Sequence, residues 1–134
     1  MTADTRQLTA RFREGFDTAS SQVLTQDKIG TAVNRAQPWC RFSVSVGARR
    51  REESGVNPTY LQLGGVFLQV FIPKPLGLQA GDELIQRFDD LMTGWRSADG
   101  AMTTGQMSQT QVEQDDHFQV NVRFAWQSLR RRGE

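Results

Sequence analysis

Leu8, Phe12 and Phe16 recur every four residues near the start of the chain, with Arg6, Arg13, Glu14 and Asp17 between them. That spacing predicts a short amphipathic helix with a narrow apolar stripe, of the kind laid on a sheet. Asp4, with Gln7 three residues on, has a capping-box-like spacing and marks its start. Over residues 18–37 the pattern fades into Ser, Thr, Gln, Asn and Asp, with Val23, Leu24, Ile29 and Val33 at no sustained period. This predicts a long loop, and a loop of that length in a compact domain is a candidate contact arm.

After Pro38, Phe42, Val44 and Val46 alternate with Arg41, Ser43 and Ser45, which predicts a strand with one buried face. The segment 47–59 is charged and turn-rich, with Arg49-Arg50-Arg51-Glu52-Glu53 and Gly55, and reads as a second long loop or arm. Strand character returns from Tyr60 to Ile72, where Val66, Leu68, Val70 and Ile72 face one way and Phe67 and Phe71 the other. A strand apolar on both faces is expected to be central and covered on both sides. Gly64-Gly65 marks a bulge or bend where this strand begins. Pro73 and Pro75 end it, and Ala80, Leu84, Ile85, Phe88, Leu91, Met92 and Trp95 then hold a helical period that Gly94 is placed to close. Residues 97–105 read as loop and 106–114 as a weak polar strand. A turn at Asp115-Asp116 leads to Phe118, Val120, Val122, Phe124 and Trp126, which alternate strictly with polar or small residues. The tail 129–134, with Arg130-Arg131-Arg132, carries no period and reads as a basic, solvated extension.

Two helices and two hairpins without regular strand-helix alternation predict an α+β fold: a mixed or antiparallel sheet of about four to five strands with two helices packed on it. A length of 134 residues fits a single domain. Charge adds little direction, because 16 basic and 15 acidic residues leave +1, too little field for a dedicated polyanion binder. Fourteen of the 16 cations are Arg, which suits fixed contacts to carboxylate or phosphate. The single cysteine, Cys40, excludes an internal disulfide and a cysteine zinc site and suggests a reducing compartment. It lies inside a strand beside Trp39 and is expected to be a buried small hydrophobe. The longest apolar run, near residues 66–72, is far short of the ~20 residues a membrane helix needs, so no membrane partner is expected.

Catalytic chemistry finds no foothold. His117 is the only histidine, so metal-site spacing is out of reach, and beside Asp115 and Asp116 it reads as an exposed hairpin residue. The adjacent carboxylates Glu52 and Glu53, Asp89 and Asp90, and Asp115 and Asp116 point to different faces and form no dyads. Gly64-Gly65 lacks the Lys and helix start of a phosphate loop. Trp39, Trp95 and Trp126 each end or lie on an apolar stripe and read as core. No enzyme, cofactor or metal is therefore expected. What remains are two Arg clusters: Arg49, Arg50 and Arg51, which with Glu52, Glu53 and Tyr60 are candidate contacts to a subunit or tube, and Arg130, Arg131 and Arg132, candidate contacts to DNA or a partner.

The order of parts resembles the tail terminator proteins of long-tailed bacteriophages, the minor tail protein U-like or tail-completion family. The resemblance is carried by the N-terminal helix, the poorly patterned loop, Pro38-Trp39-Cys40-Arg41-Phe42, and Gly64-Gly65-Val66-Phe67-Leu68-Gln69-Val70-Phe71-Ile72-Pro73. Gly77 and Ala80, opening the helix from Leu84 to Trp95, and the closing hairpin complete it over nearly the whole chain. It implies a structural subunit of a homohexameric ring that caps the tail tube and stops its polymerisation. The partners it implies are the tail tube protein and a head-completion or connector protein, with DNA passing through the lumen without sequence-specific binding. It places the ring in the virion, at the head-proximal end of the tail, after assembly in the host cytoplasm. Another morphogenetic protein, a head-tail connector or a tube subunit, is the alternative, and a small DNA-contacting module a further one.

Overall fold

The structure is a computed structural model that describes residues 3–16, 22–25, 34, 36–51 and 59–131. Helix α1 (Ala3–Gly15) is followed by strands β1 (Gln22–Thr25), β2 (Trp39–Arg51) and β3 (Thr59–Pro73). Two short 3-10 turns lead into α2 (Asp82–Met92), and β4 (Met102–Glu113) and β5 (His117–Arg131) close the fold. The strands form one mixed sheet in the order β1-β2-β3-β5-β4, in which β1 runs parallel to β2 and all other neighbours are antiparallel. The fold is α+β, with β3 central as its two apolar sets predict.

Both helices lie on the same face. Leu8, Phe12 and Phe16 of the α1 stripe and Leu84, Phe88, Leu91 and Met92 of α2 are buried against Cys40, Phe42, Val66, Leu68, Val70, Ile72, Val122, Phe124 and Trp126. Phe12 stacks on Phe42 at 4.1 Å between centroids, and Phe88 meets Phe124 edge-on at 5.4 Å, so aromatic pairs fix how each helix sits on the strands. The helices are also joined at one end, where the Arg11 guanidinium donates to the Leu91 carbonyl near the α2 C-terminus at 3.0 and 3.2 Å. The chain then leaves α2 through Gly94, whose φ of +62° is a left-handed position suited to glycine.

Several sequence expectations change. The reading of 18–37 as one loop missed β1, four residues too few to show a period, which are held by pairing with Trp39, Cys40, Arg41 and Phe42. Residues 47–51 are strand and not loop. Gly64-Gly65 sits mid-strand, and the register break lies opposite, between Val46 and Arg49. Gly64 is needed there because a Cβ would fall on the Trp126 ring and the Ser45 carbonyl. Asp4 lies inside α1 and is buried, so it does not cap the helix. The second helix ends at Met92, before Trp95, and Ala80 belongs to a 3-10 turn. Strand β4 begins at Met102, inside the segment read as loop, and β5 runs to Arg131, into the segment read as tail. Residues 26–33, 52–58 and 132–134, which include Glu52, Glu53 and Arg132, lie outside the described residues.

Candidate assembly surfaces

The second face of the sheet is built from the other parity of the same strands. Its rows read Trp39, Phe71, Gln119 and Val112; then Arg41, Gln69, Asn121 and Thr110; then Ser43, Phe67, Arg123 and Ser108. Neither of the described helices covers this face, so among the described residues β3 is central but covered on one side only, and Phe67, Gln69 and Phe71 are half-buried. At one end Trp39 stacks on Phe71 with centroids 5.2 Å apart and an 11° tilt, and His117 leans on both rings at 5.9 and 5.8 Å. Trp39 is therefore an element of the bare face and not of the core, and His117 is half-buried by its ring contacts, with Nδ1 2.6 Å from Asp116 Oδ1. In the middle, a shallow hollow of about 400 Å³ is bordered by Phe67, Gln69, Asn121, Ser108, Thr110 and Arg123. The Arg123 guanidinium lies 5.7 Å from the Phe67 ring centre. Apolar rings, amides and one cation together suit a mixed protein interface.

Beyond the helices the sheet continues as an arm of three strands. Arg49, Arg50 and Arg51 pair in register with Gln62, Leu61 and Tyr60, and Leu61 and Tyr60 pair with Leu129 and Arg130. The register break after Val46 sends Arg49 and Arg51 to one face with Tyr60 and Arg50 to the other with Leu61. Arg49 lies 4.1 Å over the Tyr60 ring, a cation-π contact between two candidate contact residues. On the Arg50 side, Leu63 is 42% and Leu129 50% exposed, giving the arm an apolar strip continuous in parity with the bare face. The positions of Arg49, Arg50, Arg51 and Tyr60 thus form one structural unit, although a strand hairpin and not a loop carries them.

The C-terminal Arg cluster divides. Arg130 is not part of a solvated tail: its side chain is 13% exposed and is held by Asp4 at 2.8 Å, Asp99 at 2.9 Å and the side-chain oxygen Oε1 of Gln7 at 2.7 Å. Ser128 donates to the other Asp4 oxygen at 2.7 Å, and Gln7 donates to Asp99 at 2.9 Å. Burial alone would lower the Arg130 pKa, but hydrogen bonds and charge from Asp4 and Asp99 outweigh it and raise the pKa. Asp99 is held well below the usual carboxylate range by hydrogen bonds from Ser97, Gln7, the Ala101 amide and Arg130. This clasp joins α1, the 97–101 turn and the end of β5, which removes Arg130 from the candidate DNA contacts. Arg131 occupies the last position of β5. Sequence reasoning missed the clasp because the Asp4 and Arg130 partners are 126 residues apart.

Among the described residues, catalytic candidates do not gather on these surfaces. Cys40 is buried, and burial pushes its thiol up to about 12 against a smaller lowering by Arg87, which leaves it protonated and unreactive. Among the described residues no group of three His, Cys, Asp or Glu side chains is placed to hold a metal. No described helix is long and apolar enough to cross a membrane.

No family model and no curated protein matches the chain. Nine chains of solved structures do match. One of them aligns over 96% of both chains with a TM-score of 0.62 at 18% identity, and its name states no function. At that identity the likeness is one of fold: this chain shares its architecture over nearly its full length with a protein of very different sequence.

Proposed function

We infer that this chain is a structural ring subunit, similar in role to the phage tail terminators its sequence resembles. In that role six copies close on the end of a tail tube, stop its polymerisation and offer the opposite side to a head-completion or connector protein. The observation that carries this reading is the bare sheet face, where Trp39, Phe67 and Phe71 stand half-buried in a polar field and lead into the exposed leucines of the arm. Half-exposed aromatics in such a field are the usual anchors of a protein interface. A closed ring needs two different complementary patches on each subunit, and the bare face and the side of the arm that carries Arg49, Arg51 and Tyr60, on the opposite face of the sheet, are distinct ones. A net charge of +1 per copy lets several copies pack without strong mutual repulsion. The DNA-contacting alternative is weakened, since Arg130 is committed to Asp4 and Asp99.

Light scattering of the purified protein, followed by electron microscopy with a tail tube protein, tests the reading. The expected result is one closed oligomer that caps tubes. Open filaments of the protein alone would instead make it a tube subunit, and a monomer at every concentration would reject the ring. Deleting residues 50–57 is expected to abolish both ring formation and capping; a ring that survives intact removes the arm from the interface.

A further inference from the structure

The first part of β4 is closed on its outer side by the chain itself, through the Arg96–Thr103 bridge and the bonds from Gly94 N–H to Gly105 O and Thr104 N–H to Trp95 O. From Met107 to Glu113 its only strand partner among the described residues is β5, from Phe124 to Phe118. The open stretch is bounded at one end by the 94–96 segment and at the other by the Asp115-Asp116 turn.

The register shows which groups the open side presents. Gln114 N–H donates to His117 O at 2.9 Å across the two-residue turn, so residues 114 and 117 form a hydrogen-bonded pair. Antiparallel pairs alternate between bonded and non-bonded. Ser108, Thr110 and Val112, opposite Arg123, Asn121 and Gln119, therefore turn their N–H and C=O toward β5. Met107, Gln109, Gln111 and Glu113 turn theirs outward, spaced as an added strand requires. Charge, proline or brevity normally blunts such an edge. Here Met107 to Val112 reads Met-Ser-Gln-Thr-Gln-Val, without a charge or a proline, and every residue after Met107 is exposed.

We propose that this edge pairs with the same edge of a second copy of the chain, antiparallel about a two-fold axis at Thr110, so that two sheets join into one. The stretch is complementary to its own reverse. About Thr110 the outward set maps onto itself: Gln109 meets Gln111 and Met107 meets Glu113, each twice, for about eight backbone hydrogen bonds. A register shifted by two residues would set Glu113 against Gly105, which Gly94 already bonds, or Met107 against Asp115 in the turn. Thr110 lies opposite Thr110, a favourable cross-strand pair, and Ser108 opposite Val112. Within the paired stretch no charge faces a like charge, since Glu113, held by Lys74 at 2.9 Å, stands across from Met107. The same register brings the end of each copy that carries Asp115 toward the end of the other that carries the exposed Arg96. An axis normal to the sheet keeps all helices on one side, and the two bare faces become one continuous surface. The contact is isologous and closes at two copies, so it is separate from the heterologous contact of a ring and does not depend on that reading.

Two sets of variants test the joint. Gln109→Pro with Gln111→Pro removes two outward N–H groups and no bond within the sheet, a placement proline tolerates on an edge. Gln109→Ala with Gln111→Ala removes the same side chains and keeps the N–H groups. Light scattering is expected to give wild type the mass of an even number of copies, the alanine pair the same mass, and the proline pair half of it. The occupant is read at the axis. Thr110→Lys and Thr110→Glu each set a charge against its own copy, and an equimolar mixture of the two is expected to associate about tenfold more tightly than either alone. In wild type the Gln109 and Gln111 amides are expected to exchange at least about tenfold slower in the oligomer than in dilute monomer, a reading that holds even where the prolines unfold the chain. Amides that exchange at the monomer rate in the oligomer, with the proline pair at wild-type mass, overturn the joint and leave the ring reading standing. A proline pair that dissociates while the Lys, Glu and mixed proteins associate alike overturns β4 of a second copy as the occupant. A wild type that stays monomeric at every concentration overturns both the joint and the ring.

Discussion

Along β3 the side chains of Val66, Leu68, Val70 and Ile72 are fully buried under the two helices, whereas Phe67, Gln69 and Phe71, on the same strand, are half-buried on a face that neither described helix covers. The covered face is wholly apolar in this stretch and its contacts are aromatic and aliphatic. On the bare face rings, amides, hydroxyls and an Arg alternate across four strands. A single strand thus serves two purposes, because its period of two separates residues that stabilise the fold from residues left for a partner. The contrast predicts that stability and assembly respond to different substitutions.

The largest effect on stability should come from the covered face. Phe88 is fully buried and touches the rings of Phe12, Phe42 and Phe124, so Phe88→Ala is expected to cost about 4 kcal/mol in chemical denaturation. A loss under about 1 kcal/mol would mean that the helices are loosely held. Next comes the clasp at the rim of that face. Arg130→Ala leaves the buried Asp4 carboxylate without its charge partner and is expected to cost about 3 kcal/mol. The clasp also sets an acid limit. The folded Asp99 pKa lies below its ordinary 3.8, so the stabilisation is complete above that value and is lost as pH falls below it toward the folded pKa. Thermal midpoints of wild type and Asp99→Asn should differ at about pH 6 and draw closer on acidification to about pH 2. Midpoints that stay equally far apart at both would remove Asp99 from the account.

Which parts were legible in the sequence follows the same division. The central strand, the closing strand and both helices announce themselves because a face buried under helices forces an unbroken period, as in Phe118, Val120, Val122, Phe124 and Trp126. The bare face imposes no such rule, so the sequence pattern alone makes Trp39 look like core. Nor could the arm be seen: Arg49-Arg50-Arg51 looks like a loop until the register break after Val46 places Arg49 beside Tyr60 and until Leu61 finds Leu129 across the sheet. Strand β1 has four residues and depends on β2 for its existence. Arg130 extended a run of cations in the sequence, and only the fold brings it to Asp4 and to Asp99, 31 residues away. Strand β4 is visible in the sequence as a polar run, but which of its N–H groups point away from β5 depends on the register between the two strands.

An intermediate effect is expected where the two faces meet at the base of the arm. Gly64→Ala drives a methyl into the Trp126 ring and the Ser45 carbonyl, and one of these is backbone that cannot rotate away. The cost should be about 2 kcal/mol, with the arm shifted relative to the helical layer. An unchanged denaturation midpoint would show that Trp126 swings aside, and its buried indole N–H, which lacks a hydrogen-bond partner among the described residues, makes that movement inexpensive in polar contacts.

The smallest effect on stability, and the one that separates the faces most sharply, is expected at Phe67. Its ring is half-buried, with the Arg123 guanidinium 5.7 Å away, and neither helix touches the face it occupies. Phe67→Ala should therefore lower monomer stability by under about 1 kcal/mol. If the bare face is an assembly surface, the same change removes an aromatic anchor and weakens subunit association by about 2 kcal/mol, or roughly thirtyfold in the dissociation constant. Concentration-dependent light scattering beside denaturation of the monomer measures the two quantities on one variant. A Phe67→Ala protein that loses as much stability as Phe88→Ala, with association unchanged, would show that both faces serve folding and that the partner is met elsewhere on the molecule.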